Sequence, residues 1–183
     1  MGWVSRVTLL GLGFTTLCGC GRQDPAGPSN ADSTGVPFSG TVILGRPTRR
    51  VVYTCDGAGY SPPLAWSGAP AGTVQFAMLM TTLANDGMKW NWVMYGIPAS
   101  ATALAEGGVD VGTFGLTSDG PDLRYYPPCS QGPSAKTYTF TIYALSAAPV
   151  LSVPAGQVSG AVLTSAISSL TLDSSRVSVT YTR

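Results

Sequence analysis

The 183-residue chain contains no histidine. That absence removes Ser-His and Cys-His nucleophile pairs, imidazole general bases and His-based metal sites together. Charge is scarce as well: Asp, Glu, Lys and Arg make up 10 % of residues, and the formal net charge is +1. Nucleic-acid binding needs a dense cationic footprint that displaces counterions. Beyond Arg46, Arg49 and Arg50 the chain has no basic cluster, so that class is excluded. The nine acidic residues form no close pair suited to acid and base work outside one Gly- and Asp-rich stretch, 107–122. Within it, Asp110, Asp119 and Asp122 lack the spacing of a calcium loop, so neither a metal nor a cofactor is expected. After the N-terminal region no segment reaches the ~18 continuous apolar residues of a membrane helix. These absences point to a protein that is not an enzyme.

What the N-terminus does contain is an export signal. Arg6 precedes a short apolar stretch, 7–17, which ends in Leu17-Cys18-Gly19-Cys20, a pattern similar to a bacterial lipobox. Residues 1–19 are therefore expected to be a cleaved lipoprotein-type signal peptide, with lipid on Cys20. Several acyl chains on one cysteine would hold the protein stably at a membrane without spanning it. Gly21 follows in place of an inner-membrane-retaining Asp, which favours the outer membrane. Residues 20–36, rich in Gly, Pro, Ser and Asp, cannot bury enough apolar surface to order themselves and read as a flexible tether. The remainder, 37–183, has the size of one domain with its own core. Once Cys18 has left and Cys20 is lipidated, Cys55 and Cys129 remain. In an oxidising compartment an even pair predicts a disulfide, the alternative being two buried thiols.

The domain reads as mainly β. Tyr138, Phe140 and Ile142 alternate with threonines, and Val177, Val179 and Tyr181 alternate with Ser178 and Thr180. The continuous apolar run 76–80 suits a strand buried on both faces, and 90–95 suits another, closed at Pro98. Residues 38–44 and 51–54 are expected to form a hairpin. Leu163, Ala166, Ile167 and Leu170 recur at helical spacing within 158–170 and would cover one sheet face.

Three segments carry a resemblance. Tyr53-Thr54-Cys55-Asp56-Gly57 with Ser61-Pro62-Pro63-Leu64 and Trp66-Ser67-Gly68 is one. Asn91-Trp92-Val93-Met94-Tyr95-Gly96-Ile97-Pro98 is the next, and Tyr126 through Tyr143 the last. In order, they resemble the signatures of the phosphatidylethanolamine-binding protein family, in its bacterial Raf-kinase-inhibitor-like branch. The likeness extends over about residues 37 to 183. It implies a β-sandwich of largely antiparallel sheets with one or two short helices, and a small anion pocket at one end. Asp56 and Pro62 match the first loop of that pocket, and Trp92 matches the aromatic of a His-Trp pair. Pro128, Gly132, Pro133 and Tyr138 match the second loop and its strand. Three positions depart from the pattern: Thr82-Leu83-Ala84 stands where the family has Asp-Pro-Asp, Asn91 where it has a strand histidine, and Lys136 where it has a second histidine.

From these residues the expected site comprises Asp56, Pro62, Asn91, Trp92, Tyr126, Lys136 and Tyr138. Lys136 would supply fixed charge, Asn91 and the tyrosines hydrogen bonds, and Trp92 an apolar wall. Each also has a purely structural reading: Asp56 as an Asx-turn residue, Lys136 as a solvated cation, Trp92 and the tyrosines as core. The expected ligand is a small anionic or zwitterionic group such as a lipid headgroup. The alternative is a protein partner, with the domain acting as an interaction or protease-inhibitor module through 107–122.

Overall fold

The computed structural model describes residues 37–42, 51–132 and 134–183. The signal peptide, Cys20 and the tether lie outside them, as does Pro133. The described residues belong to one compact unit, Ser33–Arg183.

The apolar run Phe76–Met80 shows how the core is built. It lies within β3, Gln75–Ala84, and successive side chains on a strand point to opposite faces. Phe76, Met78 and Met80 enter a cluster with Trp66, Trp92 and Phe140, while Ala77 and Leu79 enter another with Val93, Leu163 and Ile167. A strand with no polar face must be covered on both sides, and here it is.

The first cluster lies between two antiparallel sheets. One sheet has the order β1-β2-β5 and contains β1 (Ser39–Val42), β2 (Leu64–Ser67) and β5 (Ala103–Leu104). The other has the order β6-β4-β3-β7-β8. Its further members are β4 (Gly87–Pro98), β6 (Thr113–Phe114), β7 (Lys136–Leu145) and β8 (Thr171–Tyr181). The second cluster is closed by α1, Gly160–Ile167, whose Leu163 and Ile167 are buried. The helix is shorter than the apolar spacing predicts. Ser159 caps it by accepting from the Val162 amide, and the last expected turn becomes a tight turn leading into β8. The result is a mainly β sandwich with, among the described residues, one α-helix on its outer face.

One local expectation changes, and one family feature is replaced. Residues 51–53 form a 3-10 turn rather than a hairpin strand, and β1 pairs with β2, from Ser39 opposite Ser67 to Val42 opposite Leu64. The turn is held by Thr54, whose amide (3.0 Å) and hydroxyl (2.8 Å) both donate to the Val51 carbonyl. Gly57 packs so closely that a Cβ there would sit 2.2 Å from that same carbonyl oxygen. The positions where the family carries its acidic turn, 82–84, are strand instead. β3 and β4 continue to the pair Ala84–Gly87, leaving a two-residue connection. Gly87 has φ +120°, which a β-carbon would oppose.

Candidate functional site

Two loops and the end of the β3–β4 hairpin meet beside the first residues of β7. A disulfide between Cys55 and Cys129, with Cα atoms 5.3 Å apart, ties the first loop to the second. The Cys55 amide donates to the Pro128 carbonyl at 3.1 Å. The Cys129 amide donates to the Tyr138 hydroxyl at 3.0 Å. These bonds hold the second loop against the sheet and leave a cavity of about 340 Å³.

Four of the seven expected site residues line this cavity: Asn91, Tyr126, Lys136 and Tyr138. The strand positions bring them together, Asn91 in β4 and Lys136 and Tyr138 in β7, with β3 between. Tyr126 crosses over Asn91, its amide donating to the Asn91 carbonyl at 2.7 Å. The Arg124 guanidinium sits 5.8 Å from the centre of the Tyr126 ring.

The other three are placed elsewhere. Asp56 is turned away, where its carboxylate pairs with Arg183 at 2.7 Å and accepts from the Tyr181 hydroxyl. Both partners lie far along the chain, in and just after β8, and sequence alone could not bring them to this loop. Trp92 has no exposed surface and packs edge-on against Tyr125, with ring centres 5.2 Å apart, so it serves the core. Pro62 is buried and lines a neighbouring cavity.

The cavity holds groups that the motif reading passed over. Asp86, Lys89 and Asp119 contribute to its wall. Asp86 and Lys89 form an ion pair at 2.6 Å across the hairpin turn. The Lys89 hydrogen bond, and then the aspartate's own amide, hold the Asp86 carboxyl below its ordinary range, with Lys136 adding a weaker pull. Reciprocally, the Asp86 carboxylate raises Lys89. The signal for this pair was the i, i+3 spacing around Gly87. Asp119 comes from the acidic stretch, and its carboxylate accepts from Asn91 Nδ2 at 3.3 Å. A carboxylate only accepts, so the amide is oriented with nitrogen toward Asp119. Asn91 Oδ1 is left buried without a partner among the described residues. Thr82 does not replace the family's acid, because its hydroxyl donates to the Thr137 carbonyl at 2.7 Å.

Lys136 forms no ion pair among the described residues, although its side chain is part of the cavity wall. Tyr138 accepts from Cys129, and burial raises its phenol, with Asp119 and Tyr181 reinforcing the effect. A neutral hydroxyl and a free ammonium therefore face the same space. A second cavity of about 670 Å³ adjoins it and shares Ala84, Asp86, Gln131 and Lys136.

Relatives place the architecture. The chain is 32 % identical over 108 residues to the Mycobacterium tuberculosis protein named lipoprotein LppC, covering 58 % of this chain and 52 % of that one. It thus spans about half the length of that relative. The crystal structure of CT736, a phosphatidylethanolamine-binding protein homologue from Chlamydia trachomatis, superposes with a TM-score of 0.70 at 26 % identity. That match covers 80 % of this chain and 97 % of the chlamydial one. Escherichia coli YbcL matches in fold, with a TM-score of 0.68 at 21 % identity over 81 % of this chain and 99 % of its own. Residues 39–182 match the family model described as phosphatidylethanolamine-binding protein, and the chain belongs to that family.

Proposed function

We propose that this domain is a non-catalytic ligand-binding module of the bacterial cell envelope, lipid-anchored at Cys20 on the outer membrane. Its ligand is a small anionic or zwitterionic group such as a phospholipid headgroup, held between Lys136, Asn91, Tyr126 and Tyr138. One observation carries this reading: an ammonium with no ion-pair partner among the described residues lines a cavity beside a phenol free to donate. Family membership supports a phosphate-like ligand, and the lipoprotein relative supports the envelope. No helix among the described residues is long and apolar enough to cross a membrane.

The ligand's anionic oxygens would accept from Lys136 Nζ and the Tyr138 hydroxyl. A zwitterion's ammonium would lie toward Asp119. With no imidazole present, no histidine protonation step accompanies binding.

The alternative, inhibition of a partner protein through 107–122, gains less. Much of that stretch is fastened to the sheet: Gly115 donates to the Val93 carbonyl at 2.8 Å and Ser118 to the Trp90 carbonyl at 2.8 Å. Isothermal titration with phosphoethanolamine, sulfate and acetate tests the leading reading. Lys136→Ala is expected to weaken sulfate binding roughly 10- to 100-fold, the worth of one charge-assisted hydrogen bond. Asp56→Ala should leave it unchanged. Equal affinity of wild type and Lys136→Ala would exclude this cavity.

A further inference from the structure

The second loop separates two cavities of opposite chemistry. Beyond the polar one lies another of about 430 Å³, within the ~300–1,000 Å³ typical of small-molecule sites. Buried Tyr53, Pro62, Tyr125, Pro128 and Phe140 form its inner wall, and β8 borders it at Val179 and Tyr181. Among the described residues no charged side chain lines it, whereas Asp86, Lys89, Asp119 and Lys136 line its neighbour.

The inner hydroxyls are already committed. Tyr125 donates to the Tyr53 carbonyl at 2.9 Å, Tyr53 to Glu106 at 2.7 Å, and Thr54 to the Val51 carbonyl at 2.8 Å. Tyr181 donates to Asp56, and the Ser178 and Thr139 hydroxyls bond each other at 2.9 Å. A molecule entering this space meets prolyl rings, aromatic faces and methyl groups at the inner wall, with the exposed Thr180 and Thr182 at its rim. That environment suits hydrocarbon.

The two spaces are neighbours along one short partition. In the segment 125–129, Tyr126, Pro127 and Cys129 line the polar cavity, while Tyr125 and Pro128 line the apolar one. On β7 the same division falls between Tyr138 and Phe140. Residues two apart share a sheet face and lie about 7 Å from each other. That is the scale on which a headgroup joins its first methylenes.

We propose that the apolar cavity receives the hydrocarbon part of an amphiphile whose anionic group occupies the polar cavity, so that one ligand straddles the 125–129 segment. The inference rests on the headgroup reading above and adds a second subsite to it. Calorimetry on a series of alkyl phosphates (methyl, butyl, hexyl, octyl), each below its micelle concentration, reads the subsite directly. The dissociation constant is expected to fall roughly fourfold per methylene until the cavity is filled. Val51→Trp and Thr180→Trp, both at exposed positions on the cavity lining, should flatten that dependence and leave methyl phosphate affinity unchanged.

A flat series in the wild type, with methyl phosphate bound, overturns the second subsite and leaves the headgroup reading standing. An undiminished chain-length dependence in both tryptophan variants also overturns it. If methyl phosphate fails to bind, the headgroup reading falls by itself and the neutral probe N-phenyl-1-naphthylamine decides the cavity. One probe per chain, displaced by octanol and lost in Thr180→Trp, upholds an apolar site. No probe binding, or one probe per two chains, overturns it.

Discussion

Replacing Cys55 and Cys129 together by serine removes the covalent link between the first loop, which borders the apolar cavity, and the second, which borders both. The cysteines are 74 residues apart. For a closed loop of that length the chain-entropy relation gives about 4.4 kcal/mol of stability at 25 °C, from restriction of the unfolded chain. Against a total of ~5–15 kcal/mol for a typical domain, this is a large share. With a urea m-value of ~2 kcal/mol/M the unfolding midpoint should fall by roughly 2 M. Two hydrogen bonds, Cys55 to Pro128 and Cys129 to Tyr138, remain available without the sulfurs, so the loops should still reach native positions when folded. Sulfate affinity at low urea is therefore expected to change by less than about threefold, since each such bond keeps its ~1 kcal/mol. Equilibrium unfolding of the double variant, followed by tryptophan fluorescence, gives the first quantity and titration the second. A midpoint shift below about 0.5 M would refute the entropic account of the bridge. A collapse of binding with stability intact would refute the view that these two hydrogen bonds, rather than the disulfide, shape the cavity.

Two further outcomes are expected. Stability should hold steady through neutral pH and decline as pH rises past 10. Tyr125 and Tyr138 both have phenols raised above 10.0 in the fold, chiefly by burial. Each binds its proton more tightly folded than unfolded, so the contribution is complete below pH 10 and is lost as pH climbs through the folded value. Urea midpoints measured between pH 6 and 11 check this, and a midpoint that rises above pH 10 would contradict it. Gly160→Ala should cost about 1–3 kcal/mol through overpacking, because a Cβ there would sit 2.0 Å from Trp90 Cδ1. A melting temperature lowered by roughly 2–12 °C is expected, and an unchanged one would mean that the Trp90 ring moves aside freely.

The polar cavity was half legible. Lys136 and Tyr138 share a face through an alternation written in the sequence, whereas Asn91, next to Trp92, sits at the register shift between Met80–Trp92 and Thr81–Trp90 that only the fold revealed. Asp86 and Lys89 escaped because they lie outside the family's motif positions, and pair formation across the hairpin turn depends on β3 and β4 extending to Ala84 and Gly87. Asp56 failed for a different reason. Its motif identifies a loop, but the partner that captures its carboxylate is 127 residues away at Arg183. Trp92 shows the limit of alternation: period two assigns it to the sandwich face, and only packing decides whether that part of the face is cavity or core. It is core, closed by Tyr125 and Phe114.

Composition and local pattern alone determined that imidazole chemistry is absent, that charge is sparse and that the chain builds strands with two covered faces. They did so because each property belongs to a residue or to its immediate neighbours. Which strands pair, which end of the chain meets the first loop and where empty space remains were decided only in three dimensions. Those outcomes depend on side chains distant in sequence competing for the same volume, and a cavity is what such packing leaves unfilled.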